Sequence, residues 1–201
     1  MIKNLIFDFG KVLVNHDLQA VLERYFKEDK ESEKRCYSIL SSPDFTEACD
    51  RGLLSFDELI REAQSRHPRF SDALRFFREN YMDEVTGEIE GMRDVLSKFK
   101  AKGFKLYGLS NWCSDVYEVM RRYEIFKLLD GQIISCEEHL VKPEKEIYLR
   151  LCERYGLKLT ECLFTDDRPE NVEGAKAAGM NAVLFTTPEN YVAEVERIRA
   201  E

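Results

Sequence analysis

Four short polar segments carry the side chains that chemistry would need, and each comes after an apolar run. Asp8 follows Leu5-Ile6-Phe7, Ser110-Asn111 follows Phe104 to Leu109, Lys142-Pro143 lies beyond Gln132 to Ser135, and Asp166-Asp167 follows Cys162 to Thr165. Together they offer a nucleophile, a hydroxyl and an amide donor, a cation and a pair of carboxylates. Phosphoryl transfer needs such a set, because its catalysis consists mainly of positioning and of neutralising charge on the transferring oxygens. Asp8 and Asp166, with water and a backbone carbonyl, suit the hard oxygen coordination of Mg²⁺. A cation there would also keep Asp8 ionised.

These residues are far apart in the chain, so the fold has to gather them. Residues 4–9, 104–109, 132–135, 162–165 and 182–185 read as five buried strands. Between them the spacing predicts helices over 91–102, from Pro143 to Tyr155, over 170–178 and over 188–200, with Gly103, Gly156 and Gly179 as stops. Strands alternating with helices give parallel pairing and right-handed crossovers, hence a doubly wound, five-stranded, Rossmann-like α/β core. Ligands of such a sheet bind outside the carboxyl ends of its strands, where all four polar segments fall.

Residues 17–85 break the alternation. Only helical pieces are legible there, around 18–27, 32–40, 55–66 and 71–81, with turns at Ser41-Ser42-Pro43, Gly52 and Pro68. The expectation is a core of residues 1–16 and 86–201 with an inserted α-helical bundle cap over 17–85.

The motifs resemble those of haloacid dehalogenase-like hydrolases. Leu5-Ile6-Phe7-Asp8-Phe9-Gly10-Lys11-Val12-Leu13-Val14 is similar to the first motif of that superfamily and Gly108-Leu109-Ser110-Asn111 to the second. Lys142-Pro143 with Ile147-Tyr148 resembles the third, and Leu163 to Asp167 through Asn171, Gly174-Ala175 and Ala178-Gly179 the fourth. Asp50-Arg51-Gly52 with Ser55 and Glu58 is similar to a recurrent cap segment. The absence of a second aspartate in the first motif most resembles the α-glucose-1-phosphatase-like group. The resemblance implies Asp8 as nucleophile and metal ligand, and Ser110 and Asn111 on the substrate phosphate. It implies Lys142 as a bridge between nucleophile and phosphate, Asp166 and the Gly10 carbonyl as further Mg²⁺ ligands, and Asp167 as a second-shell or water-mediated one.

Gly10 is the departure, since most phosphatases of the superfamily carry there the aspartate that gives and takes the proton. Glycine keeps the carbonyl but loses that transfer, at a cost on the order of 10²–10⁴ in rate if nothing replaces it. An acidic leaving group suffers least, which favours an anomeric sugar phosphate among small phosphorylated metabolites. His16, shortly after the first motif, could supply the missing proton transfer, but the favoured reading is an exposed loop histidine, because no partner for its ring is identifiable. Trp112, Cys113 and the Phe76-Phe77 and Tyr81 cluster are read as packing.

The net charge of −8 disfavours a nucleic-acid partner. No apolar run is long enough to span a membrane. Six scattered cysteines without a C-x-x-C pair read as free thiols, which fits a cytoplasmic protein. Two rivals stay open: a metal-independent dehalogenase, and a phosphate-ligand-binding protein with weak or no catalysis. A receiver-type switch is set aside, because its acidic pair belongs to the first strand.

Overall fold

The computed structural model describes residues 1–200. In chain order the strands are β1 (Asn4–Phe7), β2 (Val14–His16), β3 (Val85–Glu88), β4 (Lys105–Ser110), β5 (Gly131–Ile134), β6 (Cys162–Asp166) and β7 (Asn181–Leu184). The helices begin with α1 (Leu18–Phe26), α2 (Lys30–Leu40), α3 (Pro43–Asp50), α4 (Phe56–Arg66) and α5 (Ser71–Glu79). They continue with α6 (Met92–Ala101), α7 (Val116–Arg122), α8 (Ser135–Glu138), α9 (Lys145–Tyr155), α10 (Pro169–Ala178) and α11 (Pro188–Ala200).

Five strands form one parallel sheet in the order β5-β4-β1-β6-β7. β1 is central and buried at every residue, as its unbroken apolar run requires. Phe7 is in register with Gly108 of β4 and Thr165 of β6, so Asp8, Ser110 and Asp166 emerge together at one edge. Side chains alternate across the strands. Leu5, Phe7 and Leu106 share an apolar layer with α6, α7 and α11, while Ile6, Tyr107 and Phe164 share another with α9 and α10. The doubly wound α/β arrangement expected from the alternation is the observed one.

The first layer runs without a break into the helical segment, where Leu22, Leu40, Phe56, Phe77 and Tyr81 join Phe9, Trp112 and Cys113. Phe77 and Tyr81 are core residues, as expected. Local capping shapes these helices. Asp17 accepts from the backbone N–H groups of Gln19 and Ala20 at 3.0 and 3.3 Å, and Ser55 and Glu58 form a reciprocal capping box at the start of α4. All six cysteines are free.

Several local expectations are corrected. Ser41-Ser42-Pro43 is not merely a turn: Ser42 caps α3, with Pro43 at its first position. Pro143 lies ahead of the following helix, which begins at Lys145 with Glu144 as its cap residue, and its bond to Lys142 is cis. A short antiparallel ladder between β2 and β3, too brief to show a period, joins the two ends of the helical segment. We propose that the division between core and cap falls at this ladder.

The segment after α3 grips the core. Arg51 pairs with Glu144 and donates to the His139 carbonyl at 3.1 Å, and His139 Nδ1 lies 2.6 Å from the Arg51 carbonyl. Gly52 has φ +62° and would place a Cβ 2.4 Å from the Cys136 carbonyl oxygen, so no other residue fits that contact.

Gly174 of α10 plays a similar part, since a Cβ there would lie 2.5 Å from the Pro143 carbonyl oxygen and 2.7 Å from its Cβ. Gly174→Ala is therefore expected to push α10 off the Lys142-Pro143 turn and to cost about 1–3 kcal/mol of stability. Urea unfolding measures this, and an unchanged midpoint would show that the turn can move aside freely.

Candidate active site

The backbone N–H of Asp8 donates to the Thr165 carbonyl at 2.9 Å, which prolongs the β1–β6 ladder by one residue and fixes where the carboxylate starts. The next turn is tight. Phe9 O accepts from Leu13 and Val14 at 2.9 and 3.0 Å, and Lys11 is held at φ 60°. A non-glycine residue in that region costs about 1–2 kcal/mol, and such strain is found where a site dictates the backbone. Among the described residues no turn hydrogen bond ends on the Gly10 carbonyl.

Lys142 is the centre of the arrangement. Its Nζ lies 2.7 Å from Asp8 Oδ1 and 2.7 Å from Asp166 Oδ2, with the side chain 1% exposed. Burial works against its charge, but Asp8 and Asp166 outweigh that and hold the ammonium above the ordinary lysine value. Burial pushes the Asp8 carboxyl up, Lys142 pulls it down and Asp166 pushes it up again, leaving it above the usual carboxylate range. Ser110 Oγ donates to Asp8 Oδ1 at 3.1 Å. Asp166 is completed by the Arg168 N–H at 2.9 Å and by Asn171 Nδ2 at 3.0 Å from both of its oxygens.

Asn111 lines the same space but its amide is already engaged. Nδ2 donates to the Lys142 carbonyl at 3.0 Å, and the Lys142 N–H donates to Oδ1 at 2.8 Å. This reciprocal pair positions the lysine and uses one of the two Nδ2 hydrogens, so the same amide can still offer the other to a ligand. Asn171 belongs to the fourth motif, yet its effect on Asp166 is not readable from spacing alone.

Asp8, Asp166 and Asp167 each present an oxygen within 4.8 Å of the others, a cluster able to hold a cation. Burial and the Asp166 charge raise the Asp167 carboxyl above its ordinary value. Above this cluster lies a cavity of about 290 Å³, bounded by the sheet edge on one side and by the helical segment on the other.

Two cavity-lining residues depart from the sequence reading. His16 is not an unpartnered loop histidine: its Nε2 sits 3.0 Å from Glu84 Oε1, and Glu84 is 1% exposed. Its ring also meets the Trp112 ring edge-on at 5.0 Å between centroids. Burial opposes a charge on His16, but the hydrogen bond and the charge of Glu84 prevail and raise it above the ordinary histidine value. A Cβ built on Gly10 would lie 3.7 Å from His16 Cβ, so His16 stands beside the vacant position of the first motif. The partner was hidden because Glu84 lies 68 positions away, across the β2–β3 neck. Asp50, at the end of α3, also lines the cavity, and burial raises its carboxyl to about 6.

A family model described as haloacid dehalogenase-like hydrolase matches residues 2–179. The chain belongs to this family. Flavin mononucleotide hydrolase 1 of Arabidopsis thaliana is 25% identical over 149 residues, or 73% of this chain. The chain covers 58% of that relative's length. A protein from Porphyromonas gingivalis, described as a predicted HAD-like family hydrolase, has a TM-score of 0.77 at 22% identity, with 100% of this chain and 99% of that one covered. A HAD family enzyme from Bacteroides thetaiotaomicron, in complex with magnesium and inorganic phosphate, has a TM-score of 0.73 at 22% identity, covering 93% and 96% of the two chains. At these identities the two structures bear on the fold alone.

Lys142→Met is expected to cost about 3–5 kcal/mol at neutral pH, because it leaves two buried carboxylates facing each other without a counter-charge. Asp8 already sits above the usual carboxylate range, and losing Lys142 raises it further. The folded variant then takes up a proton before the unfolded chain does, so the deficit should shrink as pH falls into the mildly acidic range. Urea unfolding at two pH values reads this out, and a deficit that grows on acidification would contradict it.

Proposed function

We propose that this family member is a phosphatase that hydrolyses the phosphate monoester of a small metabolite through a covalent phosphoryl group on Asp8. The observation that carries the reading is the convergence of Asp8, Asp166 and Asp167 around a buried Lys142 at one sheet edge. Three carboxylates together with the Gly10 carbonyl fit a hard divalent cation such as Mg²⁺, with Asp8, Asp166 and Gly10 as ligands and Asp167 acting behind them. When bound, Mg²⁺ supplies Lewis-acid neutralisation of the phosphoryl oxygens. The name of the Arabidopsis thaliana relative, a flavin mononucleotide hydrolase, supports the same reaction class. A metal-independent dehalogenase gains nothing from Asp166 and Asp167 beside its nucleophile.

In this reading Lys142 holds Asp8 in place and shares its ammonium with the incoming phosphate, while Ser110 offers a hydroxyl to it. An Asp8 carboxylate oxygen attacks phosphorus as the ester P–O bond breaks. His16 gives the departing oxygen a proton from Nδ1, the ring nitrogen that Glu84 does not engage. It then takes a proton from the water that attacks phosphorus and releases phosphate, which restores Asp8. His16 thus does the work that the first motif assigns to the aspartate absent at Gly10.

Asp8→Asn should lower turnover of acetyl phosphate by about 10³-fold or more while the protein stays folded. Chelation with EDTA should abolish activity and added Mg²⁺ restore it; turnover indifferent to chelation would favour the dehalogenase reading. His16→Asn should reduce hydrolysis of glycerol phosphate by about 10²–10⁴-fold but that of p-nitrophenyl phosphate far less, because general acid catalysis matters most for the poorer leaving group. Equal losses on both esters, with chemistry limiting, would remove His16 from proton transfer.

A further inference from the structure

The two sides of the cavity differ in chemistry. The sheet edge contributes Asp8, Ser110, Asp167 and Arg168, whereas the helical segment contributes Leu40, Phe45, Phe56 and Phe77. Phe45 is half-buried, and Leu40, Phe56 and Phe77 are packed in the apolar cluster behind it. The Phe56 ring lies 6.1 Å from that of Phe45 and 6.2 Å from that of Phe77, each in edge-on geometry.

Polar groups within this wall are already committed. Tyr81 Oη accepts the Trp112 indole N–H at 2.6 Å, and Thr46 Oγ1 turns back onto the Ser42 carbonyl at 3.1 Å. Asp50 and the His16–Glu84 pair are exceptions. The Asp8 charge acts on both Asp50 and His16, which places them at the phosphate end of the cavity.

A hexose would press several hydroxyls against the phenylalanines. Each hydroxyl buried without a partner costs on the order of tenfold in affinity. A hydrocarbon pays no such penalty, and each methylene it buries strengthens binding about fourfold. Size agrees with this. The cavity measures about 290 Å³, roughly twice the 150 Å³ that accommodates a benzene molecule in an engineered core, which leaves room for a phosphate and one ring or a short branched chain.

From this wall we infer that the alcohol esterified in the substrate is apolar: an aryl, allylic or short branched alkyl group lying under α2 to α5. The inference rests on the phosphomonoester reading above and replaces the anomeric sugar expected from leaving-group acidity alone. Arg168, whose guanidinium pairs with Glu170, and Lys11 also line the cavity beside Asp8, and the phenylalanines select the rest of the molecule.

The test separates binding from turnover. Ethyl-, butyl- and hexylphosphonate are titrated calorimetrically into the Mg²⁺-loaded protein, and turnover of acetyl phosphate is followed in parallel. Affinity should rise about fourfold per methylene until the cavity is full, and glucose 6-phosphate should bind at least about 100-fold more weakly than hexylphosphonate. Phe45→Gln, at a half-buried position, should reduce hexylphosphonate affinity by a larger factor than ethylphosphonate affinity. Equal affinities along the series, or glucose 6-phosphate binding as tightly as hexylphosphonate, would overturn the inference whether or not acetyl phosphate is turned over. A steep chain-length series without acetyl phosphate turnover would uphold the apolar subsite and refute the hydrolase reading instead.

Discussion

One buried ammonium makes this sheet edge possible. At an effective dielectric of about 20, two carboxylates 4.8 Å apart repel by about 3–4 kcal/mol, and Asp8, Asp166 and Asp167 lie within that distance of one another. Lys142, bridging two of them at 2.7 Å each, makes the cluster tolerable. Much of the surrounding structure serves to hold that lysine. Asn111 clamps its backbone, α10 approaches its turn closely enough to require Gly174, and Asn171 fixes the carboxylate that receives its charge.

The same edge explains why the helical segment sits where it does. If Asp8 is the nucleophile, as proposed, exposure to bulk water would screen its charge and leave its intermediate to be hydrolysed indiscriminately. The helices place an apolar wall over Asp8, α3 brings Asp50 to the cavity, and β2 brings His16 there with its partner Glu84. Arg51 and Gly52 set their distance from the core through the His139 and Cys136 carbonyls. Glycine at position 10 and histidine at position 16 then form one unit, since the space a side chain at 10 would enter lies against the imidazole.

Most of the fold was legible because long-range order in a parallel sheet is written locally. The strands of the parallel sheet fall in short apolar runs, α6, α9 and α10 stop at or beside Gly103, Gly156 and Gly179, and the topology follows from their alternation. The convergence of Asp8, Ser110 and Asp166 at strand ends was legible for the same reason, and Lys142 joins them from the turn before α9. Contacts set by three-dimensional packing were not. Three residues of β2 show no period, Ser42-Pro43 looks alike as a turn and as a helix start, and the Asn111 amide could not be assigned to phosphate or to backbone without the Lys142 turn beside it. His16 was ranked as an exposed loop residue, behind its possible role in proton transfer, because its partner Glu84 arrives from the far end of the helical segment.

Chemical capture of the intermediate tests the central claim most directly. An acyl phosphate can be reduced with borohydride, which converts the phosphorylated aspartate to homoserine. If Asp8, held by Lys142, is the nucleophile, protein quenched while hydrolysing acetyl phosphate and then reduced should carry homoserine at position 8, detectable by peptide mass spectrometry. Protein quenched without substrate should not. Demonstrated turnover with position 8 unmodified under conditions that reduce a control acyl phosphate would contradict the account.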